Sequence, residues 1–201
     1  MSRPLPDPTS RPHLGRLAGV AAFAAAAALA LLAISGSASA RSSDDIQAAA
    51  IKVAFVYNFA KFASWPLGRF RGLEDALNLC VQRGDLRLEA LQSLQGKQIG
   101  DRPVDVTIVH RGDAVGTCHL LFASSFASIE ALQGLLALAR RDGILMVSDL
   151  PEFASLGGHI GLVEDRGRLR FQINLRSLTD ADLKLSSQLL NLAEIVGPVR
   201  N

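Results

Sequence analysis

Apolar residues along the chain form an uncharged leader, a set of short alternating runs and a C-terminal stretch with helical spacing. Ile51, Phe55, Phe59 and Phe62 recur at intervals of four, four and three, which predicts a helix over Asp44–Ala63 with an aromatic stripe turned to a core. Ser42, Ser43 and Asp44 offer N-cap oxygens. Trp65-Pro66 ends that helix, because proline disfavours helical geometry in the residue before it. Ala76–Val81 predicts a strand, and Leu86–Leu94 a short helix with Leu88, Leu91 and Leu94 on one face. Val104–Val109 is a strand by β-branching and alternation, and Leu120–Ala123 is a brief apolar strand. Ser128 caps a helix over Ser128–Ala139, and Asp142-Gly143 turns the chain into a strand at Ile144–Val147. Ile160–Glu164 and Arg168–Asn174 flank Asp165-Arg166-Gly167, a hairpin signal. Beyond it, Leu185, Leu189, Leu192 and Val196 share one face of a long helix over Ser177–Ile195, with Leu178 and Leu183 off that stripe. The rhythm predicts an α/β fold: a single layered domain with a mixed, mostly parallel sheet, flanking helices, a C-terminal β-hairpin and a long helix.

Charge separates the leader from the rest. Of 21 basic and 19 acidic residues, three arginines and one aspartate lie in Met1–Ala40, so 18 of each remain in Arg41–Asn201. That balance argues against a protein held to nucleic acid by phosphate neutralisation. Arginines, the uncharged run Leu17–Ile34 and the small residues Ala38-Ser39-Ala40 follow one another in the order of a cleaved signal peptide spanning residues 1–40. Residues 41–201 are then a periplasmic domain with no membrane insertion of its own. An uncleaved anchor is the competing reading, since the run approaches the minimum for a span. In an oxidising compartment, Cys80 and Cys118 are read as a disulfide ahead of two separate buried thiols.

Little in the exported part suggests catalysis. His119 adjoins Cys118, but neighbouring strand residues point to opposite faces. His110, His119 and His159 lack the close pairing of a metal site. Gly157-Gly158-His159-Ile160-Gly161 precedes a strand and is followed by no Lys-Ser/Thr, unlike a phosphate loop; its glycines suit positive φ and close packing. Arg166, Arg168 and Arg170 alternate along the hairpin as a solvated face, or as a contact for an acidic ligand or partner. For Asn174, Ser186, Ser187 and Gln188 the spacing implies no nucleophile–base geometry. No catalytic residue, cofactor or metal is assigned, and binding is favoured over catalysis.

Several strings resemble the YfiR family of periplasmic proteins. They begin with Lys52-Val53-Ala54-Phe55-Val56-Tyr57-Asn58-Phe59-Ala60-Lys61-Phe62 and Trp65-Pro66, and continue through Leu77-Asn78-Leu79-Cys80-Val81 and Cys118-His119-Leu120-Leu121-Phe122. Leu145-Met146-Val147-Ser148-Asp149, Gly157-Gly158-His159-Ile160 and Arg170-Phe171-Gln172-Ile173-Asn174 follow, and the run from Leu183 to Ala193 closes the series. The resemblance implies a regulator rather than an enzyme. It would repress an inner-membrane diguanylate cyclase of the YfiN kind through that enzyme's periplasmic sensor domain, and so lower cyclic-di-GMP and biofilm formation. A YfiB-like outer-membrane lipoprotein would sequester it, and family members can form homodimers. The resemblance also implies that Cys80 and Cys118 are the family's cysteine pair, with a redox-sensitive stabilising role, while a second pair found in some members is absent. It places partner binding on the C-terminal hairpin and helix, hence on Gln172, Arg176 and Leu178; Leu178 is either an exposed anchor or a core residue. Asp182 stands where glycine is often seen, and His159 where an apolar residue is common. The alternative function is a small-ligand-binding module that feeds another membrane receptor.

Overall fold

The computed structural model describes residues 46–72, 74–83 and 88–197. The leader, its cleavage motif and the Ser42–Asp44 cap lie outside them. Short apolar runs became strands: β2 (Leu77–Gln82), β4 (Arg102–Val109), β5 (Leu120–Phe122), β6 (Leu145–Ser148) and β7 (Ile160–Asp165). All five run parallel, in the spatial order β4-β2-β5-β6-β7. This is a doubly wound arrangement in which the strand order reverses between β2 and β5. At one edge β3 (Gln98–Ile99) pairs antiparallel with β4. At the other, β8 (Arg168–Asn174) returns antiparallel on β7, and β10 (Glu194–Val196) lies parallel on β8. The sheet is therefore mixed and mostly parallel, with helices on both faces, as the rhythm of the sequence predicts.

Alternation sends side chains to two cores. Leu77, Leu79 and Val81 join Val104, Leu120, Phe122, Leu145 and Val147 beneath helix α1 (residues 46–62). Leu91 and Leu94 belong to the same core, at and just past the end of α2 (Leu88–Gln92). On the opposite face Cys80, Leu121 and Met146 pack under Leu132, Leu136 and Ala139 of α3 (Ile129–Asp142). Ser128 caps α3 as expected: its side chain accepts from the Ala131 N–H, and Gly143 ends the helix in the left-handed conformation. The stripe of α1 differs from the expected one. Val53, Val56, Phe59 and Ala60 form its buried side, while Ile51 is 45% exposed and Phe55 and Phe62 flank the contact. The aromatic contact comes instead from Phe55, Phe59 and Phe171 of β8, whose ring centroids lie 5.1–5.8 Å apart.

The hairpin forms with Arg166 and Gly167 both at positive φ, the geometry of a two-residue turn matched to strand twist. The long helix over Ser177–Ile195 does not form. Asn174 caps a short α4 (Leu175–Asp180), Asp182 turns the chain at φ 53°, and Lys184–Leu185 (β9) pairs with Ala63–Ser64 (β1). Ser186 then caps α5 (Ser187–Leu190), and the chain returns to the sheet as β10. The positive φ at Asp182 accounts for glycine suiting that position.

Gly157 and Gly158 act as the sequence suggests, through conformation and packing. Gly157 has φ 106°, and a Cβ at Gly158 would sit 2.2 Å from the buried ring of Phe153. Gly158→Ala is expected to destabilise the protein by about 2 kcal/mol, because a well-packed ring must move. The shift of the urea midpoint measures it.

Candidate functional site

The connection from β4 to β5 must cross β2, and it does so as a loop, residues 110–119, without a helix. A disulfide between Cys80 in the middle of β2 and Cys118 near the loop's end staples it to the sheet, with Cα atoms 5.7 Å apart. Arg69 adds a second anchor, its guanidinium donating to the carbonyls of Gly116 and Cys118. The bridge predicted from compartment and cysteine count is therefore present, and Cys118 is no nucleophile.

His119 is fully engaged by the backbone. Its Nδ1 accepts from the Asn78 N–H at 3.0 Å, and Nε2 donates to the Arg69 carbonyl at 3.1 Å. The ring stacks on Phe70 at 4.1 Å, and the Arg102 guanidinium lies 3.8 Å over the other ring of that stack. Burial holds the imidazole below its ordinary pKa, and the backbone hydrogen bond to Arg69 opposes this in part. His159 is 2% exposed, accepts at Nδ1 from the Met146 N–H, and is pushed down to about 4, chiefly by burial. His110 sits at the surface against Asp113. Among the described residues no three His, Cys, Asp or Glu side chains converge as a metal site requires.

The residues assigned to partner binding separate. Gln172 is half-buried on β8 and donates to Glu194 across the β8–β10 pair at 3.2 Å. Arg176 is exposed on α4. Leu178 is 3% exposed and belongs to the α1-side core, so it cannot be the exposed anchor. One helical turn fixes the reason: Leu178 and Ser177 face inward, while Leu175 and Arg176 face out. Leu175 begins α4, Leu192 precedes β10 and Ile195 lies on that edge strand; they are 41%, 76% and 48% exposed, all within the C-terminal segment that forms this edge of the fold. On the hairpin, Asp165 takes Arg170 at 3.2 Å and Arg166 at 3.9 Å, an exposed ion-pair cluster.

These features meet a match that spans most of the fold. The YfiR/HmsC-like family model fits residues 49–194, which contain the bridge, the hairpin and α4. The chain belongs to the YfiR/HmsC-like family. This YfiR/HmsC-like family is a regulatory and periplasmic one. No curated protein matches the chain. Among the described residues of this YfiR/HmsC-like protein, no helix is long and apolar enough to cross a membrane.

Sequence reasoning missed Leu175, Leu192 and Ile195 as exposed apolar groups on the YfiR/HmsC-like fold. The usable signals were two N-cap residues: Asn174, which starts a helix ahead of the expected one, and Ser186, which divides it.

Proposed function

We propose that this protein is exported by cleavage after Ala40 and represses a YfiN-like inner-membrane diguanylate cyclase by binding its periplasmic sensor domain. The single observation carrying this reading is the YfiR/HmsC-like match over residues 49–194. Repression requires that the protein bind the inactive cyclase conformation more tightly than the active one, since equal affinity would shift nothing. The C-terminal edge supplies a suitable surface. Leu175 offers an exposed apolar anchor beside Arg176, and Gln172 lies on the adjoining strand. Apolar and arginine side chains packed centrally carry most of the free energy of such contacts. A YfiB-like outer-membrane lipoprotein relieves the repression by capturing the protein, and a homodimer is a further state of the same chain.

Deleting the protein from a strain that carries its cyclase is expected to raise cytoplasmic cyclic-di-GMP; an unchanged level defeats the reading. Leu175→Asp combined with Arg176→Glu is expected to weaken the complex by about 2 kcal/mol, roughly thirtyfold, with the fold intact by circular dichroism. Unaltered affinity for the sensor domain would remove this edge from the interface.

A further inference from the structure

In doubly wound sheets, ligands bind in the crevice beyond the carboxyl ends of the strands, where the strand order reverses. That place is open here. Gln82 ends β2, Val109 ends β4 and Ala123 follows β5, and all three line one cavity of about 320 Å³ at the β2–β5 reversal. Its origin lies in the helix-free crossover. Parallel strands are usually joined by a helix that covers the sheet. Residues 110–119 supply only a loop, and Asp105 and Thr107 of β4 are left exposed.

The walls specify the chemistry. Leu121 and Val115 are buried at the cavity, and Phe126 and Leu135 extend its apolar surface. From α3, Ala131 and Gly134 face the space, and a Cβ at Gly134 would meet no atom within 4 Å. A glycine inside a helix is unfavourable to that helix, and the open space at Gly134 has room for a side chain projecting from α3. The charges at the mouth are opposed and already engaged: Arg111 donates to Ser125 Oγ at 3.0 Å, and Asp113 holds the His110 N–H and imidazole. An ion drawn to either of these charges is repelled by the other, so the mouth favours neither sign. The Gln82 carboxamide offers both a donor and an acceptor to an uncharged group.

We propose that this crevice binds a small, uncharged amphiphile, with an aryl or short alkyl body against Leu121, Phe126 and Leu135 and an amide or carbonyl head at Gln82. The cavity size fits a ligand at the small end of the usual range of about 300–1,000 Å³. This site is separate from the C-terminal edge, so its test does not depend on the cyclase.

Three probes of one shape isolate the charge: phenylacetamide, phenylacetate and phenethylammonium, each titrated into the purified protein and followed by amide NMR and thermal unfolding. Phenylacetamide is expected to shift signals from residues 110–115, 123–127 and 131–138 and to raise Tm, because a ligand that binds only the folded state stabilises it. The two ions are expected to do neither. Gly134→Leu fills the cavity from a helical position that favours leucine, and it is expected to abolish both responses; Ala131→Leu, on the same wall, replaces it if that variant does not fold. No response to phenylacetamide, an equal response to either ion, shifts confined to other residues, or binding that survives the filled cavity overturns the proposal.

Discussion

Replacing Cys80 and Cys118 together by alanine is expected to lower the free energy of unfolding by about 4 kcal/mol in the chain-entropy description of a loop of this size. The sequence separation is 38 residues, and the bridge restricts the unfolded chain throughout that span. Small domains have only about 5–15 kcal/mol in total, so the loss leaves a marginal fold. Alanine is the better test than serine, because both sites are buried and a hydroxyl would need a partner. The location of the bridge adds a local effect. It holds down a crossover that has no helix, so the freed loop at residues 110–119 is expected to become the first site of proteolysis. Equilibrium urea unfolding of the variant and of reduced wild-type protein measures the global loss. If both stay within about 1 kcal/mol of the oxidised protein, the unfolded-state account of this bridge is wrong.

The parts of the fold readable from sequence were those whose signal is local. Parallel strands buried on both faces show as short, nearly continuous apolar runs, and Leu77–Gln82, Leu120–Phe122 and Leu145–Ser148 carry that mark. The hairpin was legible because Arg166-Gly167 favours a turn with both φ values positive. The bridge was legible from a compartment argument with only two cysteines to pair. Helical spacing misled beyond Asn174. Leu185 lies in β9 opposite Ala63, Leu189 is buried within α5, Leu192 is exposed and Val196 joins the sheet opposite Asn174. Four residues at one period therefore serve four different environments, and periodicity alone cannot separate them. Leu178 failed as an exposed anchor for the same reason, because its burial depends on where α4 starts. The crevice left even less trace. Gln82, Arg111 and Phe126 belong to no motif, and they meet only because the strand order reverses. Gly134 inside a helix was the one local anomaly pointing to it.

Acid is expected to weaken the protein through His159 over a defined interval. Its ring is buried, and Nδ1 must stay unprotonated to accept from the Met146 N–H, while nearby Arg140 adds to the cost of a second proton. The folded-state pKa is lowered from 6.5 to about 4. Between those values the unfolded chain binds a proton that the folded chain refuses, so stability rises with pH across this window. The penalty is absent above the upper value and complete below the lower one, and it amounts to about 3 kcal/mol. His119, also lowered by burial, adds a loss of the same sign. The lowered carboxyl groups Asp75, Asp113 and Asp142 act in more acidic solution, where carboxylates of the unfolded chain take up protons. His159→Asn separates the terms, since its amide oxygen can take the Nδ1 role without titrating. Urea midpoints collected from neutral pH down to the lower pKa are expected to fall steeply for wild type and more gently for this variant. Parallel curves would mean that His159 is charged in the folded protein, and that its hydrogen bond from Met146 does not form.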